Sequence, residues 1–390
     1  MKRRYGWILA VLSAAAFSLA GCGAKEETMS AGETVSAEQV QAETETETET
    51  ETETQTAVTI EERRTVDGRM QSYLTGEWKA EETVLRRPLA VMIPNNAQAM
   101  PQYGISAASI IYEAPVEGRI TRLMAMFEDY DDLERIGPVR SSRDYFVYTA
   151  MGYQAFYCNW GLARPYVEEL INRDTVYNIS AGVEGIRNPA DEAYGRVKRP
   201  GYATEFTGYL FVEGAKDAVE RLGYDWEYDE DYVPQFTFVN EEHRAEELYQ
   251  DCEDAAVIRP GGTGENAGGY GAYNPWFEYR EDGLYYRFQD GKEQIDEMNG
   301  EQLAVSNVVL QYCHGEVRDS KDYLAFGVHG EGEALIFTGG KVIPASWSRM
   351  EGDGVPPKFY DESGEEIVLN QGKTWICNIW EEYSEFVEYE

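Results

Sequence analysis

SIIYEAPVEGRITRLMAMFED, residues 109–129, consists of two apolar runs on either side of Glu117-Gly118. Both runs are short and carry few charges, so each reads as a β-strand, and the Glu-Gly step between them reads as the turn of a hairpin. Just upstream, RRPLAVMIPNN (residues 86–96) holds a third apolar run, from Pro88 to Ile93, closed by Pro94-Asn95-Asn96. It reads as a buried strand that ends in a turn. The region after the hairpin switches to helical spacing. Tyr145, Val147, Tyr148, Met151 and Gly152 recur at near-helical intervals, and Ser141 with Asp144 three later reads as an N-cap and its capping-box partner. ARPYVEELINR (163–173) reads as a second helix, with Pro165 in its first turn and Val167, Leu170 and Ile171 inward. A third helix lies in GYLFVEGAKDAVERLGY (208–224) and is closed by Gly223.

Past Tyr232 the texture changes to short β-rich runs, among them FTFVN, WFEYR, LYYRFQDG, NVVLQYC and EALIFTGGKVIP, split by Gly, Asp and Asn. The glycine-rich GGTGENAGGYGAYN from Gly261 is not a phosphate loop, because no Gly-Lys-Ser/Thr follows it and no helix opens there. The fold class expected is therefore α+β. A mixed α/β N-terminal domain spans 83–233, and a mainly antiparallel β C-terminal domain spans 234–390.

The first residues give the location. MKRRYGWILAVLSAAAFSLAGC has three basic residues, an apolar run too short to span a bilayer comfortably, and small residues up to Cys22. Residues 1–21 read as a secretory signal, and Leu19-Ala20-Gly21-Cys22 resembles the lipobox at which bacterial lipoproteins are cut and lipidated. The expected lipidation site is Cys22, and the expected location is the extracytoplasmic face of the cytoplasmic membrane, with the membrane as partner through the acyl chains. Residues 22–82 are acidic and polar, with ETETETETETET from Glu43 to Thr54. Nothing there drives burial, so the segment reads as a disordered tether, about 45 Å long as a random coil.

The chain carries 34 Lys+Arg against 71 Asp+Glu, and residues 83–390 carry 26 against 55, a net −29. That argues against nonspecific binding to nucleic acid and against adsorption to anionic lipid, both of which need basic surface. No cofactor is called for. No metal is either, since there is no CxxC pair, and Asp129-Tyr130-Asp131-Asp132 lacks the glycine and terminal glutamate of an EF-hand. Cys158, Cys252, Cys313 and Cys377 permit two disulfides or four separate thiols. Cys313 and His314 are adjacent, and on a strand they point to opposite faces, so they do not form a nucleophile–base pair.

RPLAVMIPNN, IIYEAPVEGRITRLMAMF and IGPVRSSRDYF, with DGKEQID, NVVLQYC and GEEIVLNQGKTWICNI further on, resemble the YerB-type bacterial lipoproteins, a family of unknown function. The resemblance covers nearly all of 83–390. It implies two domains, a membrane-anchored location and a link to cell-wall assembly, with peptidoglycan or wall-synthesis proteins as partners.

In this acidic chain, RIGPVRSSR (135–143) concentrates arginine around a Gly-Pro and a Ser-Ser. Arg140, Ser141, Ser142 and Arg143 at a helix start, with Arg122, are candidates for an anion-binding site, because forked guanidinium donors and free backbone N–H groups suit a carboxylate or phosphate. The alternative is a salt-bridge cluster with Glu113, Glu117 or Asp144. Glu113 and Glu117, about 13 Å apart if both lie on one strand, are the candidate catalytic pair for a hydrolase or lyase acting on wall glycan. Arg119, Arg122, Arg140 and Arg143 nearby favour ionised carboxylates, which works against a proton-donating role. The expected function is binding or regulation of wall components or wall-synthesis enzymes, with glycan cleavage as the alternative.

Overall fold

A computed structural model of the chain describes residues 58–60, 63–263 and 270–390, all within the unit Gln55–Glu390. The expected signal peptide, Cys22 and the Glu-Thr repeat lie outside the described residues. The elements that position the site are strands β1 (Leu89–Pro94), β2 (Ile110–Val116) and β3 (Ile120–Phe127), helix α1 (Asp144–Gly152), strand β4 (Phe156–Asn159), helix α2 (Arg164–Ile171), strand β5 (Asn178–Ser180) and helix α3 (Val212–Leu222). They are followed by strands β6 (Trp276–Tyr279), β7 (Tyr285–Gln289), β8 (Asn307–Cys313), β9 (Gly330–Thr338), β10 (Lys341–Arg349) and β11 (Thr374–Trp380).

One sheet of 11 strands takes in both halves of the chain; its core runs β10-β9-β8-β11-β2-β3-β1-β4-β5. The halves meet where β11 lies parallel to β2, with Thr374 opposite Ile110 and Cys377 opposite Glu113. Strands β2 and β3 form the expected antiparallel hairpin, from Ile110 opposite Met126 to Val116 opposite Ile120. Its turn, Glu117–Arg119, places Gly118 at φ +77°, a conformation that costs glycine nothing. A smaller sheet of six strands contains β6 and β7. The chain is thus α+β, with few helices, a mixed sheet in the N-terminal half and antiparallel pairing over most of the C-terminal half.

The continuous apolar runs follow from burial on both faces. Along β1, Ala90 and Met92 join one core and Leu89, Val91 and Ile93 the other, as the two-residue period of a strand requires. Helices α1 and α2 close the first face with Phe146, Val147, Ala150, Val167, Leu170 and Ile171. The second face is closed by α3 through Val212, Ala215, Ala218 and Val219.

Two local expectations change, and one left open is resolved. Composition assigns residues up to 82 to the tether, but Arg69–Gln71 and Trp78–Ala80 pair as antiparallel strands, because Ser72 and Lys79 both reach the buried Glu128 carboxylate and dock the hairpin. The N-cap of α1 is Arg143, with no side-chain cap bond. Ser141 is turned instead toward the Trp160 carbonyl, 3.5 Å away, and Ser142 toward the Tyr157 hydroxyl, 2.7 Å away. The four cysteines 158, 252, 313 and 377 are free thiols, three of them buried. Among the described residues, no helix is long and apolar enough to cross a membrane.

Candidate functional site

The segment 139–142 runs extended across the ends of β1 and β4. Arg140 N–H donates to the Met92 carbonyl at 2.8 Å, Trp160 N–H to the Arg140 carbonyl at 3.1 Å, and Ser142 N–H to the Gly161 carbonyl at 2.8 Å. Gly161 is obligatory here: φ is +106°, and a Cβ would lie 2.4 Å from Ser141 Oγ. This ladder fixes Arg140, Ser141, Ser142 and Arg143 beside the end of β3, where Arg122 stands opposite Ala114 and Pro94.

The three arginines then differ in how they are partnered. Arg143 grips Glu117 with Nε, 2.8 Å from Oε1, and with Nη2 on Oε2, while Nη1 donates to the Ser142 carbonyl at 2.6 Å. Burial is the largest influence and opposes its charge, but the Glu117 hydrogen bond together with the charges of Tyr145, Glu117 and Tyr323 holds the guanidinium above its ordinary value. Arg140 pairs with Glu205 at 2.9 Å, and that carboxylate is half exposed. The Arg140 Nε is buried with no hydrogen-bond partner.

Arg122 is 94% buried, at 6% relative exposure. Its one side-chain hydrogen bond among the described residues runs from Nη1 to the Ser141 carbonyl at 2.8 Å, and no carboxylate there lies within ion-pair distance. Burial, with Arg143 and Arg140 alongside, pushes its guanidinium down to about 9, still charged at neutral pH. Three guanidinium groups therefore share one niche with two carboxylates, Glu117 and Glu205, and the most buried cation is the one left over.

The helix end contributes less than the sequence suggests. Asp144 in the first turn of α1 takes the positive end itself and binds Arg318 at 2.7 Å. Arg318 comes from the C-terminal half, and no local pattern announces it.

Glu113 does not join the niche. It faces the opposite side of the sheet and is fully buried. Asn95 Nδ2 (3.0 Å) and Thr121 Oγ1 (2.7 Å) donate to Oε1, while Arg287 Nη2 (2.7 Å) and Trp375 Nε1 (2.9 Å) donate to Oε2. Arg287 is itself fully buried between Phe277 and Trp375, whose ring centres lie 4.6 and 4.7 Å from its guanidinium carbon. None of the four arginines expected near Glu113 supplies this pair. The signal was present in LYYRFQDG, where Tyr285, Arg287 and Gln289 occupy the buried positions of an alternating strand. With Glu113 bound to Arg287 and Glu117 to Arg143, the two carboxylates face separate neighbourhoods and share no space for a sugar bond. His314 is exposed and lies 2.7 Å from Glu381, while Cys313 is buried. Among the described residues, no group of three or more His, Cys, Asp or Glu is placed to hold a metal ion.

Comparison with known proteins places these features in a family. Residues 74–224 match the model described as protein of unknown function (DUF3048), N-terminal domain, and residues 268–376 match its C-terminal domain. The chain is 27% identical over 310 residues to the protein named "Putative lipoprotein YerB" of Bacillus subtilis strain 168, over 79% of this chain and 86% of that relative. It is also similar to the crystal structure of the YerB protein from Bacillus subtilis. The TM-score is 0.66 at 24% identity, covering 82% of this chain and 99% of the other.

Proposed function

We propose, from the premise that this chain belongs to the DUF3048 family and is related to a lipoprotein, that it is a binding protein held by a lipid on Cys22 at the extracytoplasmic face of the cytoplasmic membrane. Its niche of Arg122, Arg140 and Arg143 takes an anionic group of the cell wall, a peptide carboxylate or a polymer phosphate. The observation that carries this reading is Arg122, a buried guanidinium without a carboxylate, set beside two more guanidinium groups in a strongly acidic protein.

An uncompensated buried charge is costly, and an anion entering the niche removes the cost while gaining forked, charge-assisted hydrogen bonds. Arg140 is the way in. Its pair with half-exposed Glu205 belongs to the class of surface ion pairs worth about 0–1 kcal/mol, so a ligand anion displaces Glu205 at little expense. The sealed environment of Glu113 favours this reading over glycan cleavage, since a fully buried carboxylate ion-paired to Arg287 has no access to substrate.

The test is sedimentation of the protein with purified wall sacculi that retain their anionic polymer, at low and high salt. Wild type is expected to co-sediment at low salt and to be released as salt rises. Arg140→Ala is expected to bind about tenfold more weakly with an unchanged melting temperature. Equal binding by the variant at all salt concentrations would remove the niche from the reading.

A further inference from the structure

A second site lies at the junction of the two halves of the chain. A cleft of about 380 Å³ opens between residues 105–111, the turn before β7, residues 301–305 and the start of β11. That volume falls in the range of small-molecule pockets, about 300–1,000 Å³. Its apolar lining is the half-buried Leu284, Tyr286 and Ala304, set over buried Ile105, Ile111, Leu303, Val305 and Trp375, and its polar groups include Lys373, Gln302 and Glu301.

Lys373 is the group that gives the cleft a chemistry. Its carbonyl accepts the Ser306 and Asn307 amides at 2.9 and 3.1 Å, which fixes its backbone. Its Nζ donates to the Ser106 carbonyl, leaving two of the three ammonium donors without a hydrogen bond among the described residues. No carboxylate there lies within ion-pair distance of Nζ, whereas Lys79, Lys216, Lys341 and Lys358 each have one. Desolvation holds the amine below its ordinary value; Lys79 adds to that, while Glu77, Glu301 and Asp296 oppose it. Glu301, exposed at the rim, makes its own bond with Asn299 at 2.8 Å. A single cation facing an apolar wall, with a carboxylate at the rim, suits a monoanion. A phosphate dianion would meet Glu301 as it entered.

We infer that this cleft binds a small carboxylate with an apolar body, the carboxylate on Lys373 and the body against Leu284, Tyr286 and Ala304. The site is separate from the arginine niche and stands or falls independently of it.

The probe is 4-fluorophenylacetate, read by fluorine NMR line broadening on the full chain in lipid nanodiscs. The charge-reversed control is 4-fluorobenzylamine. The wild type is expected to broaden the carboxylate probe in a saturable way and to leave the amine unchanged. Lys373→Gln is expected to weaken binding at least tenfold, Lys373→Arg to restore most of it, and Arg140→Ala to leave it unchanged. Leu284→Trp, at a half-buried position lining the cleft, is expected to block the probe without touching Lys373, so the inference stays testable if Lys373→Gln fails to fold. No broadening by wild type, equal affinity in Lys373→Gln, or equal binding of the amine would each overturn it.

Discussion

Two groups of arginine and glutamate occupy opposite faces of the same hairpin, and they are built on opposite principles. Glu113 and Leu123 face one core, Ala114 and Arg122 the other. On the first face one carboxylate meets one guanidinium at 2.7 Å, both fully buried, with three further N–H or O–H donors and the Cys377 thiol on the carboxylate. On the second, Arg122, Arg140 and Arg143 share Glu117 and Glu205, and the deepest of them has no anion. On the first face the charges are paired one to one, with Arg287 Nη1 left as a buried donor without a hydrogen bond, and the pair serves the fold. The unbalanced face carries an electrostatic cost that an additional anion would lower, which is the ground for proposing it as the binding site.

The largest expected effect lies on the balanced side. Glu113→Ala or Arg287→Met leaves one buried charge without its partner, and should lower the unfolding free energy by about 3–5 kcal/mol in urea titrations. The pair bridges strands of both halves, so the two variants should unfold the whole sheet in one transition. A loss under about 1 kcal/mol would mean that the pair is not the clamp the geometry describes.

Glu113 also marks where the sequence stops being informative. Strands β1, β2 and β3 are legible because each is an unbroken apolar run, and Glu117-Gly118 announces the turn between two of them. The three helices are legible from their spacing, and α3 from Gly223 at its end, which adopts the left-handed conformation. The partner of Glu113 is not legible, because Arg287 lies 174 residues away and local spacing says nothing about which buried charges meet. The same holds for Asp144 and Arg318. The arginine niche is half legible: RIGPVRSSR stands out by composition, but only the packing separates Arg143, neutralised by Glu117, from Arg122, which is not. Ser141 misleads as a cap because the backbone ladder with residues 160–163 overrides a local preference for capping.

A smaller effect sharpens the unbalanced side. Glu205→Gln removes the half-exposed carboxylate on Arg140 and raises the net positive charge of the niche. Affinity for wall polymer should rise about two- to threefold, with stability changed by less than about 1 kcal/mol. A fall in affinity would assign Glu205 to the ligand contact and not to its competition.

The measurement that bears most directly on the contrast is Arg122→Met, followed in parallel by thermal unfolding and by binding to wall polymer. Methionine fills much of the same volume without the charge, so it removes the repulsion from Arg140 and Arg143 and loses one hydrogen bond to the Ser141 carbonyl. The account predicts a melting temperature unchanged or raised, together with at least a tenfold loss of binding. A lowered melting temperature with binding per folded molecule unchanged would contradict it, and would place Arg122 with Arg287 among the residues that hold the fold.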